Sequence, residues 1–507
     1  MKISKIELKD YRAFYGNNYK IDIPNGKNLI IYGENGSGKS SLFQAVSDFF
    51  ESAINNELPF AKHIKAADDP NEQYVKLTFT DYSVQPIESI DFQFSNLRTD
   101  TNQAEGQFIA QTFNLKSFLS YKQILKTYLF DTKNNFENHF FDLLVSELIG
   151  TINNSFTNNP ISQDWQELKE NPEDIVLAEQ LEKGVNEIIN GIKYQDPKLD
   201  NIPGVNTYLN SYLEYFKQDL SVQLNPCKIE IDNKKINATI SLKLTLFGEE
   251  LDNHIEILNE ARLSALALSI YFSAIQKSVA LQLKYKILFL DDIFIGLDLS
   301  NRIPLLDILR NEFKEYQTFI TTYDRHWFET SQRYLTGLEN GNWTFIELYQ
   351  SLLKINEYKS TKPLIVQHEN NFTKAIYHLN HDTKPDFPAA ANYFRKHIEE
   401  IFSDNFFTYE LRNVEDDTLI ESHKIGKQII NLIDFFRKIQ APTSILFQLQ
   451  NYLPTLLHPL SHFNLSAPIY KGELLKIQES VMAFEEQISE IKDRSKLIIP
   501  PDCKLLL

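Results

Sequence analysis

At 507 residues the chain is long enough for about two to four domains and a large buried core. Hydrophobic residues make up 42 % and charged residues 23 %, an ordinary globular balance, and no apolar run approaches a membrane span. The formal net charge of −17 excludes a chain coated in positive charge, while a local basic groove inside an oligomer stays open. Cys227 and Cys503 are the only cysteines and no Cys-x-x-Cys exists, which excludes a cysteine zinc site and a disulfide framework. The start Met1-Lys2-Ile3-Ser4-Lys5 lacks a signal-peptide core, so the expected location is cytoplasmic, with no membrane partner.

In chain order, Ile3 to Leu8 and Tyr19 to Ile23 alternate apolar and polar side chains, which predicts strands. Leu29 to Tyr32 predicts a short buried strand. Leu42, Phe43, Val46, Phe49 and Phe50 fall at helical spacing. Tyr74 to Phe79 and Ile90 to Phe94 alternate again and fit an antiparallel sheet. Ser117 to Gln123 leads into a helical run through Phe130. From about Phe136 to Gln218 the pattern is helical and polar, broken by loops at Asn153 to Gln163 and Gln195 to Gly204. Two antiparallel arms cut from that stretch would hold at most ~40 residues each, or about 60 Å, which excludes long coiled coils. Strands are expected at Lys228 to Ile231 and Ile236 to Phe247, then a helix over Glu260 to Leu283. Strand Ile287 to Leu290, helix Asn301 to Phe313, strand Thr318 to Thr321 and a closing strand Trp343 to Leu348 follow. Such alternation predicts an α/β sheet with helices on its faces. Beyond about Ser351 the chain turns helical: Phe387 to Phe402, Ile425 to Ile439, Thr443 to Leu453, Glu473 to Lys492. The expected organisation is residues 1–135 and 221–350 as two lobes of one domain, 136–220 as a helical insertion, and 351–507 as a helical domain.

One stretch carries chemistry in full: Gly33-Glu34-Asn35-Gly36-Ser37-Gly38-Lys39-Ser40-Ser41 satisfies G-x-x-x-x-G-K-[ST] between a strand and a helix N-terminus. Its glycines let backbone N–H groups close around phosphate oxygens, and the helix dipole favours the anion. Lys39 is expected to reach the terminal phosphates of ATP, and Ser40 to offer its hydroxyl to Mg²⁺. Such a loop needs a second acidic strand. Ile287-Leu288-Phe289-Leu290-Asp291-Asp292 supplies it, with Asp291 expected to orient Mg²⁺ and Asp292 to act as general base toward water.

The order P-loop, insertion, Leu258-Asn259-Glu260-Ala261-Arg262-Leu263-Ser264, Asp291-Asp292 and Gly296-Leu297-Asp298 resembles the ABC-type ATPases of the RecF/SMC branch. The resemblance covers roughly Met1 to Leu348. It implies an ABC-type head with antiparallel strands, and a Tyr/Phe-Arg-x-Phe motif, matched by Tyr11-Arg12-Ala13-Phe14, whose arginine touches nucleotide phosphates. It implies a signature loop, matched by Leu258 to Ser264, that reaches across a dimer to the other subunit's γ-phosphate. It also implies a D-loop at Asp298 and a metal-sensing glutamine, for which Gln123 is the candidate. The implied ATP contacts are thus Arg12, Asn35 to Ser41, Asn259, Glu260, Ala261 and Asp298, with Ser40, Gln123 and Asp291 at the metal.

Several positions depart from that family. Asn259 replaces the signature serine, Ala261 a glycine, and Asp292 the catalytic glutamate. Tyr323 or Asp324 occupies the switch-histidine position, with His326 a little later. Binding is unaffected by these changes; slow or conditional hydrolysis is the expectation. With no zinc-hook cysteines and no long arms, the chain looks more like the PtuA-like ATPases of bacterial anti-phage systems (Septu, retron-associated). That resemblance implies an even-numbered homo-oligomer controlling a separate nuclease effector. An ATP-locked scaffold restraining a toxic partner and a RecF-like repair factor binding DNA are the alternatives.

Outside the head, His378, His381 and Asp382 match no standard metal spacing and fit a polar helix terminus. His458 and His462 stand at i, i+4, but Pro459 breaks the helix that would align them. No Toprim-like acidic cluster and no Arg-x₄₋₆-His pair follows Leu348. Arg302 admits two readings, a residue near a dimer interface or a surface residue at a helix start.

Overall fold

The computed structural model describes residues 1–16, 18–66, 73–84, 86–96, 100–103, 106–123, 136–192, 201–217, 219–251, 259–278, 283–297, 299–339, 342–355, 358–367, 371–381, 384–406, 420, 424–457 and 471–491. The chain divides into two compact units, Met1–His368 and Glu369–Leu507.

The first unit opens with β1 (Lys2–Lys9), β2 (Tyr19–Asp22), β3 (Asn28–Gly33), α1 (Lys39–Glu51), β4 (Tyr74–Asp81) and β5 (Glu88–Phe94). β2, β1, β4 and β5 form an antiparallel sheet in that order, as their alternation predicts. Next come α2 (Gln107–Phe113), β6 (Phe118–Ser120), α3 (Phe136–Leu143), α4 (Ile161–Glu170), α5 (Ile175–Asn190), the short β7 (Gly191–Ile192) and β8 (Ile202–Pro203), and α6 (Val205–Tyr215). Strands β9 (Leu220–Leu224), β10 (Lys228–Asp232), β11 (Lys235–Thr239), β12 (Leu242–Leu246) and β13 (Glu249–Glu250) precede α7 (Glu260–Ser278). Last are β14 (Ile287–Asp291), α8 (Leu299–Glu312), β15 (Gln317–Thr322), α9 (Arg325–Glu339), β16 (Trp343–Ile355) and β17 (Tyr358–Gln367).

A six-stranded sheet in the order β17-β16-β3-β15-β14-β6 is the frame of the unit. Its inner strands are continuous apolar runs because both faces are covered. Leu29, Ile31, Ile287, Phe289 and Phe319 enter the core shared with α1 and the antiparallel sheet. Ile30, Tyr32, Leu288, Leu290 and Ile320 enter the opposite core. Gln317 ties the two sheets. Its Oε1 accepts from Ile3 N (2.8 Å) and the Tyr285 hydroxyl (3.0 Å), and its Nε2 donates to Ile3 O (2.8 Å) and Lys27 O (3.0 Å).

Several expectations are corrected. Helices α3 to α6 of the expected insertion pack on the sheet: Phe140, Trp165, Leu181, Leu209 and Tyr212 share one core with Leu288 and Leu290. Their loop is pinned by the buried Asp164, which accepts from Asn154, Thr157 and Asn159. The single strand expected over Ile236 to Phe247 is two, β11 pairing with β10 and β12 with β9, because the alternation runs unbroken across a change of partner. The chain also stays extended past Ser351. β16 runs on to Ile355 and turns back as β17, where charged residues and Pro363 hide the strand pattern. The expected helical run after Gln123 and the end of the Glu260 helix fall outside the described residues.

The second unit is helical: α10 (Asn371–Asn380), α11 (Phe387–Asn405), α12 (Ile425–Lys438), α13 (Ser444–Tyr452) and α14 (Lys471–Ile491). Phe394, Phe402, Leu432, Phe436, Leu449 and Phe484 make its core. Among the described residues no helix is long and apolar enough to cross a membrane.

Candidate nucleotide site

The loop between β3 and α1 takes the shape that its glycines permit. Gly36 and Gly38 have φ of 81° and 108°, and Gly38 is the N-cap of α1. A Cβ on Gly36 would stand 2.6 Å from Gln350 Nε2. One on Gly38 would stand 2.8 Å from Pro363 Cγ and 3.6 Å from Phe14 Cζ. Gln350 and Pro363 face each other across the β16–β17 hairpin, and Gln350 Nε2 donates to Asn35 O (2.8 Å). The hairpin that the sequence pattern hides therefore frames the loop.

Lys39, the first residue of α1, is almost fully buried. Its Nζ donates to Gly33 O (2.7 Å) and Glu34 O (3.3 Å) and stands 3.8 Å from Asp292 Oδ2. Parallel pairing of β14 with β15 sets Asp291 beside Thr321. The Thr321 hydroxyl donates to Asp291 Oδ1 (2.6 Å) and accepts from Asp292 N (3.0 Å), so one side chain holds the Asp291 carboxylate and the Asp292 backbone. Sequence reading missed Thr321; its signal is a hydroxyl at the end of the neighbouring strand. Burial pushes the Asp291 carboxyl up, opposed by hydrogen bonds from Thr321 and Ser40.

Asp292 adopts a left-handed backbone, φ 53° and ψ 27°, which is costly for a residue with a Cβ. Burial pushes its carboxyl up to about 6, with Lys39 pulling it down and Asp291 pushing it up. Asp292 Oδ1 and Ser37 Oγ are buried with no hydrogen-bond partner. A buried ammonium, a hydroxyl orphan and a carboxylate orphan around one loop fit a polyanion with a divalent cation, as the ATP and Mg²⁺ expectation requires.

The remaining expected residues are placed as follows. Arg12 is exposed on the Tyr11–Phe14 turn with φ 45°, and Tyr11 Oη donates to Asp48 of α1 (2.6 Å). Ser40 is exposed and Ser41 half-buried at the start of α1. Gln123 stands just past β6, whose Ser120 pairs with Asp291; its side-chain oxygen is held by Ser120 N (2.7 Å) and Ser120 Oγ (3.0 Å). Asn259 caps α7, its Oδ1 accepting from Arg262 N (3.0 Å), with Glu260 and Ala261 opening the helix. Among the described residues no hydrogen bond or ion pair joins Asn259, Glu260 or Ala261 to the P-loop. Asp298 lies outside the described residues.

Arg302 lies in the first turn of α8, half-buried rather than on the surface. Its Nη1 meets Asp324 Oδ2 (2.6 Å), its Nε donates to Leu297 O (3.0 Å), and its guanidinium stacks over Trp327. It joins the chain just before Asp298 to the switch position. Tyr323 is exposed there, and its backbone bears on the Asp292 carboxylate. His326 is exposed at the start of α9. His378 stacks on Tyr393 and His381 meets the edge of the Tyr377 ring, as packed residues do at a helix terminus. Among the described residues no group of three or more His, Cys, Asp and Glu could hold a metal ion. Asp382, His458 and His462 lie outside the described residues.

The profile of the RecF/RecN/SMC N terminal domain matches residues 2–342. Similar solved structures include an Smc head bound to the C-winged helix domain of ScpA (14 % identity, 73 % of this chain and 99 % of that one, TM-score 0.40). The SMC head domain from Thermotoga maritima is 14 % identical over 73 % of this chain and 100 % of that one, TM-score 0.36. An Smc head with an extended coiled coil, bound to the C-terminal domain of ScpA and derived from Pyrococcus furiosus, is 13 % identical over 72 % and 96 %, TM-score 0.38. Among curated proteins nothing matches.

Proposed function

Because the chain belongs to the RecF/RecN/SMC N terminal domain family, with an α/β head of the ABC ATPase type, we propose that it is the ATPase subunit of an anti-phage defence complex. Two copies clasp ATP and Mg²⁺ jointly, and the clasp controls a separate nuclease docked on the helical unit. The observation that carries the catalytic part is Asp292: a buried carboxylate with one orphan oxygen and a raised proton affinity, 3.8 Å from the P-loop lysine. A base with a value near 6 is largely ionised at neutral pH and still basic enough to take a proton from water. Bound Mg·ATP supplies the phosphoanhydride and the cation that offsets its charge. Lys39 and the 33–38 backbone bind the phosphates; Ser40 and Asp291 hold the cation, with Gln123 once its amide leaves Ser120. Arg12 adds charge from the first lobe. Asn259, Glu260, Ala261 and Asp298 complete the neighbour's pocket. Exposed Tyr377, Ile430, Phe447 and Met482 on the helical unit support partner docking there.

Co-purification from the native operon, with phosphate release measured on the complex with and without DNA, tests this reading. Stimulated turnover that Asp292→Asn abolishes is the expected result; cleavage of nucleic acid by this chain alone contradicts the division of labour. A scaffold that scarcely hydrolyses is the second reading. It is favoured by two polar groups already engaged, Gln123 Oε1 on Ser120 and Asn259 Oδ1 in its own cap. Turnover no higher than that of Asp292→Asn in every condition would select it.

A further inference from the structure

Along the stretch Glu347 to Gln350, β16 is tied both to the P-loop and to the segment that follows β15. Parallel pairing sets Glu347 beside Tyr32 and Leu348 beside Gly33, where β3 ends and the P-loop begins. From the same strand Gln350 Nε2 reaches Asn35 O (2.8 Å). Glu347 is a carboxylate in an apolar stretch, 5 % exposed between the fully buried Ile346 and Leu348. Its Oε2 accepts from Arg325 Nη1 (2.5 Å) and from the Tyr349 hydroxyl. Arg325 opens α9 directly after Asp324, which caps that helix by accepting from Trp327 N (3.0 Å). The Arg325 guanidinium lies over the Tyr32 ring, 5.1 Å from its centroid, so one side chain meets both β16 and the residue before Gly33. At the other end of this switch segment Thr321 holds Asp291 and the Asp292 backbone, and Tyr323 bears on the Asp292 carboxylate through its own backbone.

Arg325 lies partly in solvent, so the pair contributes little more to stability than apolar residues of the same size would, whereas losing Arg325 alone strands a buried charge. What the pair supplies is a defined place for the start of α9. We propose that Arg325 and Glu347 are positioning residues: through them β16 couples occupation of the P-loop to the switch segment 321–325 beside the acidic pair. Phosphates that take the Lys39 ammonium from Gly33 O and Glu34 O change the bonding of the very loop that β16 holds. The inference rests on the reading of the P-loop as a triphosphate site, and it names what links a filled loop to the acidic strand.

The deciding variant is the double one, Arg325→Ala with Glu347→Leu, which removes both charges and should keep a denaturation midpoint near the parent's. Hydrogen exchange of the full chain with and without Mg·ATP is the first readout. In the parent, peptides covering 33–41 and 321–327 should both exchange more slowly with nucleotide; in the double variant only 33–41 should. Slowing of 321–327 in the double variant, or none in the parent, overturns the inference. If 33–41 is not slowed in the parent, the P-loop reading itself falls. Phosphate release is the second readout: the double variant should lose about tenfold in kcat with KM for ATP near the parent value, and a kcat equal to the parent's overturns the inference. Arg325→Lys, which keeps a cation on Glu347 without the planar fork, should fall between the two in both readouts. Glu329→Ala, which removes only the bond Arg325 Nε makes within its own helix (2.8 Å), should match the parent.

Discussion

The Lys39 ammonium and the Asp292 carboxylate stand 3.8 Å apart with most of both side chains buried, each on the C-terminal side of a central strand of one sheet. Asp292 Oδ2 faces the ammonium, while Asp292 Oδ1 is buried and makes no hydrogen bond. The consequences are measurable in both rate and stability.

The first concerns pH. The Asp292 value of about 6 lies above its ordinary 3.8, so the folded chain binds more protons than the unfolded chain between them. Its contribution is favourable below about pH 4 and is lost as pH rises through 6. Asp292→Asn should thus stabilise nucleotide-free protein at pH 7 by on the order of 2 kcal/mol, seen as a higher melting temperature, and change little at pH 4. In the parent, kcat/KM for ATP should climb up to about pH 6 and level off above, as expected of a base in the free enzyme. Scanning calorimetry and a pH–rate profile check the two halves.

The second concerns Arg302. Its side chain bridges Leu297 O and Asp324, and burial, which works to raise the Asp324 carboxyl, is outweighed by the Arg302 bond, the Trp327 N–H and the Arg302 charge together, which hold it below its ordinary value. Arg302→Ala should cost about 1–2 kcal/mol of stability and cut kcat by about tenfold while leaving KM for ATP near the parent value. Arg302→Lys keeps the charge but not the two-pronged bond, and should recover stability more than kcat. Steady-state kinetics on the three proteins provides the comparison.

The third is structural. Gln317→Leu removes the amide that pairs with both Ile3 backbone groups and with Lys27 O. Leaving buried backbone groups unpaired should cost about 3 kcal/mol, seen as a lower denaturation midpoint, with tripolyphosphate affinity of the surviving folded protein unchanged.

The fold class was legible because the strongest sequence signals are local. Leu29 to Tyr32, the glycine loop and the Leu42 to Phe50 helix follow one another without a gap, and Asp291-Asp292 ends an apolar strand. What stayed hidden depends on distant pairing. Thr321 gains its role only when β15 lies in register with β14. Gln350 and Pro363 become neighbours of the loop only once β17 folds back, and a strand bearing Lys359, Lys362 and Pro363 has no clean alternation. The 136–215 helices carry enough polar surface to suggest arms, yet their apolar stripes fit the sheet's second face. Arg302 gave no sequence signal beyond its place after the D-loop, since its partners are 5 and 22 residues away.

The most direct test of the joint clasp is the mass of the Asp292→Asn chain in solution, by sedimentation, with and without Mg·ATP. The account predicts an ATP-dependent step to an even-numbered assembly, blocked by Ala261→Trp at the signature stretch. An unchanged mass with one ATP held per chain would contradict it.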